Sequence, residues 1–372
     1  MISVTGRELS AGQWALRSLR MDGTLLILLS LLLMLGLVVL FSATGESLVA
    51  LENQVLRIGF GVAAMLVIAQ IPVRVLRVMA PWLFVAGLVL LVAVLFFGEI
   101  GKGARRWLDM GLVRFQPSEI MKLAVPMMTA WYLSLRQGAP RARDLAVVLP
   151  IILVPVWLIM EQPDLGTAML VGVAGLLVVF LAGLSWRWFT GLGALVAAAA
   201  PVLWLQMHDY QRQRVLTLFN PESDPLGTGY HIIQSQIAIG SGGFYGKGWL
   251  NGTQSQLDFL PERSTDFIFA VYAEEFGFMG VVLLLALYFA IVARGLWLAS
   301  LAQDRFARLL GGSISLTFAV YMVVNIGMVT GLLPVVGVPL PLVSYGGTSL
   351  VTLMVAFGIL MSIASEKRLV NR

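Results

Sequence analysis

Leu257-Asp-Phe-Leu-Pro-Glu-Arg-Ser-Thr-Asp-Phe-Ile-Phe-Ala-Val-Tyr-Ala-Glu-Glu275 is the stretch whose reading decides the fold. It starts polar, crosses Pro261 and passes into an apolar segment that continues to about Arg294. Thr265 or Asp266 stands where an N-cap belongs, which puts Asp266 at the mouth of a helix. That helix is about 28 residues long, roughly 42 Å at 1.5 Å per residue. A bilayer core needs only about 20 residues. The surplus predicts tilt, a kink near Gly277 and Gly280, or a first turn outside the hydrocarbon. Glu274 and Glu275 fall about two turns below Asp266, where an unpartnered carboxylate is costly. Asp266 is either a cap or a functional acid, and these residues alone do not choose.

Outward from this stretch the chain is apolar. Of 372 residues, 59% are hydrophobic and 12% charged, and the mean hydropathy is +0.89. Soluble domains of this length do not have such a composition; the chain reads as a polytopic membrane protein. It has no cysteine, which excludes a disulfide framework and thiol chemistry. Arg7, Arg17 and Arg20 precede about 20 apolar residues that run to Ala43, the pattern of an uncleaved signal anchor. Further spans are predicted at 54–71, 77–97, 117–135, 145–160, 166–183, 188–206, 266–294, 309–331 and 344–364. The expected fold class is all-α and polytopic, with about ten transmembrane helices in a single integral membrane domain over 1–372. A large structured extracytoplasmic loop, 207–265, is expected between helices 7 and 8.

The positive-inside rule places both termini in the cytoplasm, because the inner segments hold most of the Lys and Arg while the outer loops 44–53, 161–165 and 332–343 hold none. Two outer loops break the rule. Residues 98–116 carry Lys102, Arg105, Arg106 and Arg114, and 207–265 carries Arg212, Arg214, Lys247 and Arg263. Arg57 and Lys122 sit just inside the outer ends of their spans. Basic residues on the wrong side oppose insertion, so they point to an anion held outside the cytoplasm. The plainer alternative is pairing with lipid headgroups or with Glu99, Asp109 and Glu222. Within 207–265, residues 208–220 and the stretch around Ile232–Ile239 are amphipathic and predict helices lying in the interface plane, separated by a turn at 224–227.

Gly240-Ser-Gly-Gly-Phe-Tyr-Gly-Lys247 fails as a phosphate loop, since Ser241 and Gly248 stand where Gly and Ser or Thr are needed. Turn glycines with one lysine explain it better. Gln116-Pro-Ser-Glu119 opens a span with ordinary helix-start chemistry, but Lys122 follows one turn on and on the same face. An intramembrane Glu119–Lys122 pair is a site candidate. Gln162-Pro-Asp-Leu-Gly166 repeats the device with Asp164, and the Pro/Gly-rich 337–347 segment must be buried in protein or line a cavity. Trp107 is either a belt aromatic or a platform for a sugar. The two histidines, His208 and His231, lack ligand spacing, and no nucleic-acid module is visible.

Six ordered motifs carry a resemblance: Lys102-Gly-Ala-Arg-Arg-Trp-Leu108, Phe115-Gln-Pro-Ser-Glu119, Gln162-Pro-Asp-Leu-Gly166, His208-Asp-Tyr-Gln-Arg-Gln-Arg214, Phe259-Leu-Pro-Glu-Arg-Ser-Thr-Asp266 and Pro339-Leu-Pro-Leu-Val-Ser-Tyr-Gly-Gly347. Through them the chain resembles, over nearly its whole length, the SEDS family (shape, elongation, division and sporulation), and its elongation branch most. Ser264 stands where that branch carries His, so no role of that imidazole transfers. The resemblance implies a peptidoglycan glycosyltransferase that polymerises lipid II on the outer face of the bacterial plasma membrane. The partners it implies are a class B penicillin-binding protein, as transpeptidase, and other elongation-complex proteins. It implies Asp266 as the catalytic residue, a required Trp107, and Glu119 and Lys122 as the family's intramembrane pair. Candidate substrate-binding residues are Lys102, Arg106, Trp107, Arg114, Glu119, Lys122, Asp164, Arg212 and Lys247. No cofactor is required by this reading, and a divalent cation, magnesium or manganese, stays open. The alternatives are a lipid II flippase that uses the same basic cavity, or a non-catalytic scaffold of the wall machinery.

Overall fold

Polar side chains open several of the helices. Asp22 accepts from Leu25 N at the start of α1 (Gly23–Ala43), and Ser47 accepts from Ala50 N at the start of α2 (Leu48–Gln70). Both satisfy donors that a helix end leaves open and lipid does not fill. The computed structural model describes residues 20–101, 104–109, 114–207, 209–224, 227–256, 260 and 262–370. After α2 come α3 (Val73–Phe97), the strands β1 (Glu99–Gly101), β2 (Ala104–Asp109) and β3 (Arg114–Phe115), and then α4 (Pro117–Ser134), α5 (Ala142–Met160), α6 (Leu165–Leu181) and α7 (Trp186–Gln206). The 207–265 segment holds α8 (Asp209–Phe219), a 3-10 turn at Pro221–Ser223, α9 (Thr228–Ser241) and the short α10 (Thr253–Gln256). The chain closes with α11 (Ile268–Ser300), α12 (Arg305–Val329) and α13 (Thr348–Val370).

Among the described residues seven helices, α1, α2, α3, α5, α11, α12 and α13, are long and apolar enough to cross a membrane, and α6 is a shorter apolar helix. The molecule is a mostly helical multi-pass membrane protein. It is not purely helical, however. The 98–116 segment, expected as a loop, pairs antiparallel in the order β1-β2-β3, with Glu99 opposite Trp107 and Leu108 opposite Phe115. Aromatic and apolar residues at Trp107, Leu108 and Phe115 favour a pleated surface, a signal that hydropathy over long windows passes by.

Among the described residues two large apolar cores and one small cluster form. One core gathers α1, α2 and α11 and the other α3 to α6; α12 and α13 contribute to both, and Leu170, Tyr321, Val324 and Val338 make the small cluster. Helices approach closely where side chains are small: a methyl on Gly358 of α13 would lie 2.7 Å from Met65 O of α2. The surplus length of α11 is resolved by a kink at Gly277, with φ 62° and ψ −163°. The backbone groups near the kink are satisfied by the 240–251 loop. Lys247 N donates to Glu274 O and Gly248 N to Glu275 O, both at 3.0 Å, while Phe278 N and Met279 N donate to Gly243 O and Phe244 O at 3.0 and 3.1 Å. Irregular backbone at this depth needs such internal partners. The loop runs so close that a methyl on Gly246 would sit 2.1 Å from Glu275 O. Passage along a kinked helix, rather than phosphate binding, is what these glycines serve.

Candidate functional site

At the end of the bundle that carries the sheet and the 207–265 segment, Asp266 lies in the turn 262–267. It stands one residue ahead of Phe267, the N-cap of α11, and no side chain caps that helix. The turn is held through its backbone. Tyr345 N donates to Ser264 O (2.8 Å), Ser344 Oγ to Thr265 O (2.6 Å) and Asn325 Nδ2 to Asp266 O (2.8 Å). Asn325, fully buried on α12, also donates to Val338 O at 2.7 Å, and Ser344 Oγ accepts from Leu340 N at 2.8 Å. The uncharged 337–347 segment therefore packs around the Asp266 turn, and Tyr288 OH fixes it from α11 by donating to Pro341 O (2.6 Å). Asp266 Oδ2 lies 3.5 Å from the position a Cβ on Gly337 would take, an ordinary contact distance that places Gly337 directly beside the carboxylate.

Deeper in the bundle Lys122 Nζ lies 2.6 Å from Glu119 Oε1, with the two side chains 9% and 8% exposed. The ammonium also sits 5.4 Å over the Tyr321 ring. Tyr321 and Asn325 are four residues apart on α12 and share a face. One helix thus carries both the tether of the Asp266 turn and the platform of the Lys122 pair, about 6 Å apart along its axis. A small, largely apolar cleft between α4, α12 and α13 is lined by Lys122 and Tyr321.

Asp164 caps α6 by accepting from Thr167 N (3.3 Å) and accepts from Gln116 Nε2 (3.0 Å). Arg106 of β2 reaches this corner. Its Nε donates to Gln162 O (3.2 Å), a terminal nitrogen donates to Pro163 O, and the other lies 3.9 Å from Asp164 Oδ1. Trp107, beside it on β2, is half-buried. Arg212 of α8 closes the end of α7 by donating to Trp204 O (2.9 Å) and Leu205 O (2.7 Å). Lys247 meets the fully buried Glu274 at 2.7 Å, and Thr253 Oγ1 and Gln254 N donate to the same carboxylate oxygen, both at 3.0 Å. Glu275 is held by Ser42 Oγ of α1. The three acids of the opening stretch therefore sit in different places: Glu274 and Glu275 anchor the kink, and Asp266 lies at the mouth of α11.

Expected as anion ligands, Arg106, Arg212 and Lys247 each have internal partners. The reason is physical: a helix end or tight corner leaves carbonyls open, and a guanidinium fork fills two at once. Lys102 lies outside the described residues; Arg114 is placed on β3 opposite Asp109, its side chain outside the described set. His231 of α9 stacks on Phe267 at 5.5 Å. Burial pushes its imidazole below the usual histidine range, against the pull of Glu262 and Asp224. Sequence reasoning passed over Asn325, Tyr321 and Ser344. A lone Asn in an apolar span was the available signal. Among the described residues no three His, Cys, Asp or Glu side chains converge into a metal site.

A family model described as FTSW_RODA_SPOVE, cell cycle protein, matches residues 23–369. The chain is 54% identical over 353 residues to the peptidoglycan glycosyltransferase MrdB of Escherichia coli strain K12, covering 95% of each. Among solved structures it is similar to a chain of a peptidoglycan synthase complex studied for the coordination of polymerization and crosslinking. That match has a TM-score of 0.83 at 34% identity and covers 93% of this chain and 98% of the other. It is also similar to the rod shape determining protein RodA of Thermus thermophilus, with a TM-score of 0.70 at 32% identity, covering 93% and 97%.

Proposed function

Since the chain belongs to the SEDS family of FtsW, RodA and SpoVE, we infer that it is a peptidoglycan glycosyltransferase, polymerising lipid II with Asp266 as general base. The observation that carries the catalytic assignment is the setting of Asp266: each of the carbonyls of 264–266 accepts a hydrogen bond from α12 or the 337–347 segment. A turn pinned in this way through its backbone holds the carboxylate of Asp266 at a fixed place at the mouth of α11. Transport as an alternative is not favoured, because the relatives are named for glycosyl transfer.

In the proposed reaction the GlcNAc 4-hydroxyl of lipid II attacks the anomeric carbon of a pyrophosphate-linked donor. Asp266 takes the hydroxyl proton, the C–O bond to pyrophosphate breaks, and the lipid pyrophosphate leaves with the electron pair. The donor linkage is α and the product β, so a single displacement inverts the centre without a covalent sugar–enzyme intermediate. Lys102 and Arg114, in the sheet-bearing segment, offset the charge on the departing pyrophosphate, and Trp107 stacks on a sugar. Among the described residues no protein-only metal site forms, and the step is written with this chain's own residues. Ten helices cross the plasma membrane, both termini are cytoplasmic, and the Asp266 end faces outward; residues 1–372 act as one domain. The partner is a class B penicillin-binding protein of the elongation machinery, which crosslinks the strands.

The test is polymerisation of lipid II by the purified chain and its partner in detergent, where no bilayer exists to flip across. Wild type is expected to make glycan strands. Asp266→Asn and Asp266→Ala should make none while remaining folded, as their unfolding temperatures in the same detergent check. An active Asp266→Asn variant would remove Asp266 as base, and no polymer from wild type would remove the enzyme reading.

A further inference from the structure

Arg57 lies nine residues into α2, roughly 14 Å along the helix at 1.5 Å per residue. It is half-buried. No acid occupies the neighbouring helical positions, which are Asn53, Gln54, Phe60 and Gly61. Its guanidinium carbon lies 4.3 Å over the Tyr345 ring, and its Cδ and Nε are 3.6 Å from where a Cβ on Gly347 would stand. Among the described residues it makes no hydrogen bond and no ion pair. Arg106, Arg212, Lys247 and Lys122 are each matched to a carbonyl or carboxylate of the protein. Arg57 is matched only to a ring face, within a span where an unpaired cation is unfavourable.

The geometry of that contact is informative. A cation over a ring face consumes no oxygen acceptor, so the guanidinium N–H donors stay available for a bidentate anion. Tyr345, which lies under the guanidinium, donates through its own N to Ser264 O at 2.8 Å, two residues before Asp266. Arg57 is therefore fixed relative to the Asp266 turn by one intervening residue. Gln54, one turn earlier on α2, braces the same segment: its Nε2 donates to Ser344 O and its Oε1 accepts from Gly346 N, both at 3.4 Å.

We propose that Arg57 is a pyrophosphate-binding residue of the active site, gripping the phosphates of a lipid-linked substrate with its guanidinium N–H donors while Tyr345 holds the group over its ring. The identity of the anion rests on the polymerase reading; the phosphate chemistry does not. Two sources carry such phosphates, a polyprenyl pyrophosphate and a phospholipid headgroup, and the experiment separates them. Binding of farnesyl pyrophosphate, farnesol and phosphatidylglycerol is measured on the full chain in nonionic detergent, for wild type, Arg57→Lys and Arg57→Gln, with unfolding temperatures as a check on folding. In wild type the pyrophosphate should bind well ahead of farnesol. Arg57→Gln should weaken the pyrophosphate at least tenfold and Arg57→Lys at least threefold, leaving phosphatidylglycerol unchanged. In polymerisation with the partner, Arg57→Gln should raise KM for lipid II at least fivefold. Pyrophosphate affinity within twofold of wild type in both variants overturns the proposal, as does wild-type failure to prefer pyrophosphate over farnesol. A matching loss of phosphatidylglycerol binding overturns it too, by making Arg57 a headgroup anchor. Selective pyrophosphate binding through Arg57 in a chain that makes no polymer would sustain the site and sink the polymerase reading.

Discussion

Replacing Lys122 by Met, Glu119 by Gln, and both together tests whether the intramembrane pair acts as one unit. The two groups meet at 2.6 Å with side chains 9% and 8% exposed. Charges about 4 Å apart attract by roughly 4 kcal/mol at an effective dielectric of about 20, and stranding one member of a buried pair costs about 3–5 kcal/mol. Lys122→Met also loses the contact with Tyr321, on the order of 0.5–2 kcal/mol. Each single change should therefore destabilise by roughly 3–5 kcal/mol. The double change removes both charges and keeps most of the side-chain volume, so it should fall short of the sum by about 3 kcal/mol, the energy of the lost coupling. Denaturant titration in detergent, followed by the fluorescence of the 10 tryptophans, reads the three values. A double variant within about 0.5 kcal/mol of the sum would show that the two sites are independent and refute the pairing.

The clamps invite a different measurement. Arg106→Lys and Arg212→Lys should each cost about 1–2 kcal/mol, because one ammonium does not bridge the two carbonyls that each guanidinium holds, while KM for lipid II stays within twofold. A raised KM at unchanged stability would instead return these residues to the substrate. Gly277→Ala places a methyl 2.2 Å from Gly246 N at φ 62°. It should destabilise by more than about 3 kcal/mol, and a neutral outcome in the same titration would contradict the kink. His231 has a folded pKa lowered from 6.5 by burial. Between that lowered value and 6.5 the unfolded chain binds more protons, so stability is complete above 6.5 and declines as pH falls through the window. Comparing wild type with His231→Gln across it should show the shallower decline in the variant; identical profiles would count against a buried neutral imidazole.

Much of the fold was legible because lipid allows so few solutions. Backbone groups in hydrocarbon are satisfied inside a helix or closed barrel, so long apolar runs such as Gly23–Ala43 read directly as helices. The excess length after Asp266 left tilt, a kink near Gly277 and Gly280, or a first turn outside the hydrocarbon open, and the structure shows a kink at Gly277. Glu119 and Lys122 could be paired from their spacing alone, since three residues on a helix share a face. Partners were another matter. Arg106 was visible as a cation on an unusual side, but what it holds is Gln162, 56 residues away. The amide that pins Asp266 comes from Asn325, 59 residues further on. Charge and periodicity are local properties that a sequence displays. Which carbonyl or carboxylate meets a side chain depends on how several helices and a folded-back loop converge, and that convergence gave Arg106, Arg212 and Lys247 internal partners while placing Arg57 over the Tyr345 ring.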